Sequence, residues 1–252
     1  MNKRILTLLL SVISCLNICA HYTLETQIDT EKGLSCNAVK AFARDMYGRL
    51  WVGTINGANL ISNGTILQYQ YFTVGGNDIV TGDVQAIACS RRALIATNNH
   101  IIDFDPDNDS THLVTFEGKT IRTEYIMMRG DSAFFFNAPL SAIMMYDLNS
   151  YSTSVVAQFP TERQFHFSKI LQISNDPNQL LLVEDDRGFY HLDISTGMLT
   201  RMEQLGENIT TRATFIDSKD ILWVAYRDKG ITGFDVKSGF DMISRFDKSN
   251  SE

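Results

Sequence analysis

Short apolar runs recur along the chain, each bounded by Asp, Asn, Ser or Gly. Five of them read Leu50-Trp-Val-Gly53, Ala93-Leu-Ile-Ala96, Ala133-Phe-Phe-Phe136, Leu180-Leu-Leu-Val183 and Leu222-Trp-Val-Ala225. Continuous runs of this length suit strands covered on both faces. A further strand follows each run and closes on Ser62, Asp105, Asp147, Asp193 or Asp235. Those closing positions lie 43, 42, 46 and 42 residues apart. Turn residues follow every one, from Asn63-Gly64 to Ser238-Gly239. Strands before and after complete each unit. First strands are expected at 38–44, 84–89, 123–128, 168–174 and 212–217, and fourth strands at 65–71, 112–116, 152–159, 199–203 and 241–246. Four strands in a fixed period of this length predict a β-propeller blade. The pattern therefore predicts an all-β fold with about five blades, near 32–72, 80–117, 121–160, 166–204 and 209–247. A β-sandwich would also show short strands, but not one fixed period with repeated turn chemistry. No helical periodicity of useful length appears after the N-terminal segment.

That segment has a different character. Lys3 and Arg4 precede an apolar run from Ile5 to Ile13, and the run fades toward Ala20. A positive start, a short apolar stretch and a small final residue predict a secretory signal peptide over 1–20, leaving 21–252 as the mature chain. Lipidation at Cys15 and an uncleaved signal anchor are the competing readings. Cleavage after Ala20 would remove two cations and no carboxylate, moving the formal charge from −7 to −9. An acidic chain without a basic run longer than Arg91-Arg92 excludes nucleic acid as a partner. Cys36 and Cys89 would be the two remaining cysteines, and they are read as separate thiols. No later segment is expected to span a membrane; the best, 133–146, is broken by Asn137 and Pro139.

One stretch carries a resemblance. Lys32-Gly-Leu-Ser-Cys-Asn-Ala-Val39 is followed by Asp45-Met-Tyr-Gly-Arg-Leu-Trp-Val-Gly-Thr54, and then by Asn56-Gly57. It resembles the two-component-regulator propeller repeat through Gly33, Leu34, Ser35, Asn37, Asp45, Gly48, Leu50, Trp51, Gly53, Thr54 and Gly57. Ala58 stands where that repeat usually has Leu. The fifth unit repeats the pattern loosely, with Asp217 and Trp223, and the units between keep the spacing but lose the Trp. The resemblance implies the periplasmic sensor region of a hybrid two-component histidine kinase from a polysaccharide-using bacterium. It further implies a seven-bladed propeller, of which this chain would be an N-terminal piece. On that reading the strand expected at 22–28 closes the ring. The kinase and membrane helix would belong to a longer parent in the inner membrane.

The candidate chemistry is sparse. Trp51 and Trp223 occupy equivalent strand positions and are read as packing between blades. Gly53 and Gly57 are read as permitting close strand packing and a turn. Asp103, Asp105, Asp107 and Asp109 alternate, but a calcium loop starting at Asp105 would need Gly and Glu where Ser110 and Phe116 stand. No histidine pair has metal-ligand spacing, and no serine sits in a nucleophile elbow. Glu184, Asp185 and Asp186 read as a solvated turn. No catalytic residue, metal or cofactor is therefore expected.

Propeller ligands usually sit over the central channel, on loops at one ring face. Loops between second and third strands carry Asn56, Asn98, Asn99, His100, Asn137, Arg187, Arg227 and Asp228. Loops leading into the blades carry Asn77, Asp78, Arg163, His166 and Asn208. Their amide and guanidinium donors suit sugar hydroxyls or uronic carboxylates. The leading expectation is thus an exported, periplasmic propeller that senses oligosaccharides from glycan breakdown, does no chemistry, and associates with a second sensor chain. Membrane contact is expected only through C-terminal regions of a longer parent or an uncleaved signal. The alternatives are an exported glycan-acting propeller enzyme (a glycosidase or lyase) and a stand-alone interaction propeller.

Overall fold

A computed structural model describes residues 27–173, 176–206 and 210–247. The signal segment 1–20 lies outside the described residues, as do Asn208 and all but Gln27 and Ile28 of the expected closing strand. The described chain is all β apart from two short 3-10 turns, at Thr30–Lys32 and Glu203–Leu205. It is a β-propeller of five four-stranded blades. Blade 1 comprises Val39–Arg44, Leu50–Thr54, Gly57–Ser62 and Thr65–Tyr69. Blade 2 comprises Val84–Cys89, Ala93–Thr97, Ile101–Asp105 and Ser110–Leu113. Ile126–Arg129, Ser132–Asn137, Ala142–Asp147 and Ser152–Gln158 form blade 3. Phe167–Gln172, Gln179–Glu184, Gly188–Asp193 and Met198–Arg201 form blade 4, and Thr211–Ile216, Ile221–Tyr226, Gly230–Asp235 and Asp241–Phe246 form blade 5. Each blade is an antiparallel meander in sequence order. First strands of successive blades contact one another in turn, which places them innermost.

Two short hairpins were not expected. Tyr71–Val74 pairs with Asn77–Val80, and Thr115–Phe116 pairs with Lys119–Thr120. Both leave the outer edge of a blade and return through residues with positive φ, Gly75 and Gly76 in one and Glu117 and Gly118 in the other. Paired positive φ values are what a two-residue hairpin turn needs. The fourth strand of blade 2 consequently ends at Leu113 rather than near 116. Asn77 and Asp78 sit in the first hairpin and not on a loop leading into a blade.

Four apolar cores join the five blades, each filled from two neighbours. Trp51 and Leu60 of blade 1 meet Ile95, Ile102 and Phe104 of blade 2. Leu94 and Ile101 then meet Phe135 and Tyr146, Phe134 and Ile143 meet Leu182 and Tyr190, and Leu181 and Phe189 meet Leu222 and Phe234. Trp51 is fully buried, with its ring edge-on to Phe104 at 6.1 Å between centroids. Burying a side chain of that class stabilises by roughly 1.5–3 kcal/mol. Gly53 permits the close approach, because a Cβ there would lie 2.5 Å from Val84 Cγ1. At Gly57, with φ of 111°, a Cβ would lie 2.8 Å from the Tyr69 carbonyl oxygen.

The repeat motif has a structural task at each position. Asp45 Oδ1 accepts the backbone N–H of Tyr47 at 3.0 Å and of Arg49 at 2.9 Å, closing the turn between the first two strands. Asp217 does the same for Lys219 and Ile221, and its other oxygen accepts Trp223 Nε1–H at 2.8 Å. Buried Asn59 accepts Ser35 N–H at 2.9 Å and donates to Val52 O at 3.1 Å. Ser35 Oγ and Thr54 Oγ1 share a hydrogen bond of 2.9 Å. Together these bonds hold the Gly33-Leu34-Ser35 segment against blade 1, with Leu34 buried. Asn37 Oδ1 accepts Thr30 N–H at 2.8 Å.

No fifth core among the described residues joins blade 5 to blade 1. Phe215, Ile231 and Phe246 are accordingly exposed on the free face of blade 5, around a half-buried Trp223. Blade 1 exposes Phe42 on its opposite face.

Candidate functional site

The last residue of the second strand lies at the same place in every blade. In blades 1 and 2 it is Thr54 and Thr97, whose hydroxyls close their own turns on Gly57 O and His100 O. In blade 3 it is Asn137, whose Oδ1 accepts Leu140 N–H at 3.0 Å. In blade 4 it is Glu184. This carboxylate does not extend into solvent, as a turn residue would; it is 1% exposed.

A buried carboxylate requires partners. Glu184 Oε2 accepts Arg163 Nη2–H at 2.8 Å, and Oε1 accepts Arg187 Nη1–H at 3.4 Å and His166 backbone N–H at 3.3 Å. Arg163 also donates to Tyr190 Oη and lies over the Phe165 ring, 4.3 Å from its centroid. Burial works against the Arg163 charge, but the bond to Tyr190 and the Glu184 carboxylate outweigh it and leave its pKa above the ordinary value. Both arginines are thus pinned on a rigid wall, with the rest of each guanidinium open to solvent.

Two adjoining hollows share this wall. The larger has a volume of about 820 Å³ and is lined by Arg163, His166, Glu184, Asp185, Asp186 and Arg187, with Arg122 and Pro139 opposite. The smaller, of about 240 Å³, continues toward blade 2, where Gln85, Thr97 and Asn98 meet Arg122, Glu124 and Phe136. His166 borders both and faces Glu124, with Nε2 and Oε2 3.6 Å apart. Gln85 Nε2–H donates to Asn98 Oδ1 at 2.7 Å, and Lys40 Nζ ties Asp83 and Gln85 to blade 1. That bond to Lys40 holds the Asp83 carboxyl below its ordinary range.

The structure brings together four of the thirteen residues expected on the loop face. Arg163, His166 and Arg187 line the larger hollow, and Asn98 and His166 line the smaller. Asn56, Asn99, His100, Asn137, Arg227 and Asp228 line neither. Asn56 donates to Ser35 O, His100 N–H donates to Thr97 Oγ1, and Asn137 is buried in its own turn. Arg227 and Asp228 lie on an exposed turn of blade 5. Sequence reasoning missed Gln85, Arg122 and Glu184. For Glu184 a signal existed, since an acid replaces the turn-closing Thr or Asn of the preceding blades. Asp105 accepts the N–H of Asp107 and the amide of Asn108, so its loop is a self-bonded turn. Among the described residues no cluster of three or more His, Cys, Asp or Glu could hold a metal.

The sequence profile of the two component regulator propeller matches residues 33–56. That match reaches from the segment before blade 1 to the turn after its second strand. The repeat covers the turn closed by Asp45 and the core position of Trp51. No curated protein is similar enough in sequence to match. Among solved structures, the chain is similar to the extracellular domain described as that of a hybrid two component system of B. thetaiotaomicron. The TM-score is 0.61 at 15% identity, over 88% of this chain and 37% of that one. A second such domain from B. thetaiotaomicron gives 0.50 at 14% identity, over 86% and 35%. A virginiamycin B lyase from Staphylococcus aureus gives 0.62 at 14% identity, over 85% and 72%. These likenesses show the propeller fold. The chain spans little more than a third of the length of the two extracellular domains.

Proposed function

We propose that this chain is an exported, ligand-sensing propeller of a two-component system, and that it binds an oligosaccharide in the cleft over blades 3 and 4. The observation that carries the reading is the wall built on buried Glu184. A position that closes a turn in blades 1 to 3 here holds Arg163 and Arg187 at the mouth of a cleft, on the loop face beside the innermost strands. Ligand sites are commonly concave and preformed, with a few convergent polar groups, and this cleft has that form. The repeat in blade 1 and the extracellular sensor domains of the same fold support the two-component setting. The apolar run behind Lys3 and Arg4 supports export. The chain acts by binding and not by chemistry. Ligand capture would stabilise one arrangement of sensor chains over another, and that shift in population is the signal.

A thermal-melt screen against oligosaccharides tests the reading. A true ligand at one hundred times its Kd should stabilise the fold by about 2.7 kcal/mol. Arg187→Ala, which leaves the Glu184–Arg163 bond in place, should weaken that response at least tenfold when each protein is read against its own unliganded melt. A panel that leaves the melt unmoved, or a response that Arg187→Ala does not touch, would contradict the proposal. Release of new reducing ends during the screen would mark an enzyme instead.

A further inference from the structure

We infer that the cleft selects neutral, hydroxyl-rich saccharides over acidic ones; the inference rests on the binding reading above. Its basis is the charge balance of the wall. Arg122, Arg163 and Arg187 face Glu184, Asp185 and Asp186, three cations against three carboxylates in one hollow. The adjoining smaller hollow adds Glu124 against the same Arg122, so the two together hold one more carboxylate than arginine. An anionic sugar needs a surplus of positive charge, and the cleft has none. Unit charges a few ångströms apart interact strongly where the surrounding dielectric is below that of water. Attraction to one arginine is therefore offset by repulsion from the carboxylate beside it. The chain as a whole, at a formal −7, adds no steering of anions.

The free hydrogen-bonding capacity fits the opposite ligand. Arg163 and Arg187 already give donors to Glu184, and keep others pointing outward. Asp185 Oδ1 accepts Ser168 Oγ–H at 2.8 Å, and Asp186 Oδ1 accepts the hydroxyl of Thr210. Each of those carboxylates retains a second oxygen as an acceptor. A surface that alternates fixed donors with fixed acceptors is satisfied by groups able to do both, and a sugar hydroxyl is such a group. A sugar carboxylate only accepts, and would leave Asp185 and Asp186 facing it unpaired. Exposed Ala138 and Pro139 give the ring C–H face an apolar surface on the opposite side.

The test is titration calorimetry of the whole chain with two matched panels. One holds neutral arabino-, xylo-, gluco- and manno-oligosaccharides, and the other holds oligogalacturonides and sulfated disaccharides, each at low and at 0.5 M NaCl. The expected result is a neutral oligosaccharide as the tightest ligand, with a Kd that changes less than about twofold across that salt range, because no net ion pairing forms. Asp185→Asn should weaken it several-fold. Tighter binding of an acidic oligosaccharide, weakened more than about tenfold by salt and lost in Arg187→Ala, would overturn the neutral preference while leaving the cleft as the binding site. Failure of both panels, or binding that ignores Arg187→Ala, would overturn the site together with its selectivity.

Discussion

Asp103 and Glu184 are both carboxylates sealed inside the propeller, and they do different things there. Asp103 belongs to the interface of blades 2 and 3. Its Oδ2 lies 2.6 Å from Arg92 Nη2 and accepts the Tyr146 hydroxyl at 2.8 Å. Burial pushes its pKa up, against the pull of Tyr146 and Arg92. Arg92 also donates to Leu148 O at 3.2 Å and lies over the Tyr151 ring. Nothing in this triad reaches a cleft, so its role is to align two blades. Removing Asp103 strands the buried charge of Arg92. Asp103→Ala should therefore cost about 3–5 kcal/mol in urea unfolding. Ligand affinity in the fraction that remains folded should be unchanged. Loss of binding without loss of stability would contradict this assignment. Glu184 differs because its partners open onto solvent, which turns a structural carboxylate into the anchor of a binding wall.

At the scale of the blade, equivalent residues meet different surroundings. Trp51 and Trp223 occupy the same strand position and pair with equivalent aromatic rings, Trp51 with Tyr69 at 5.5 Å and Trp223 with Phe246 at 6.2 Å. Only in blade 1 does the next blade supply a third ring, Phe104. Trp51→Ala should thus cost about 3–5 kcal/mol, as emptying a core aromatic site does. Trp223→Ala should cost less than about half of that in the same urea titration, and equal costs would contradict the difference in packing. The blades themselves were legible in sequence. Runs such as Ala133–Phe136 are apolar on both faces because a blade covers each, and the closing aspartates mark turns that only certain side chains can make. The outer hairpins were not, although Gly75-Gly76 carries the signature of a tight turn. Their strands are too short for periodicity to register. The loop face was legible as a region, and Arg163, His166, Arg187 and Asn98 were named from it. Glu184 was not, because an acidic triplet after a strand reads as a solvated turn until the neighbouring loop, carrying Arg163, is brought over it.

At the scale of the molecule, the five blades form an arc, and among the described residues its last face is apolar and exposed. Phe215 and Phe246 are more than half exposed there, with Ile231 and Trp223 between them. An uncovered face of this kind promotes association. Light scattering should show the protein self-associating as concentration rises. The double change Phe215→Lys and Ile231→Lys should move it toward monomer without lowering the melting temperature. Association that survives both changes would place the contact elsewhere. The cleft lies over blades 3 and 4, within the arc and away from either end, so ligand binding should not depend on that face.

Hydrogen–deuterium exchange with and without a saturating oligosaccharide from the calorimetric panels tests the central claim most directly. The cleft account predicts slowed exchange in two segments, 161–168 and 183–188, with a smaller effect at 122–124 and blades 1 and 5 unchanged. Protection confined to blade 1, or to the bare face of blade 5, would contradict it.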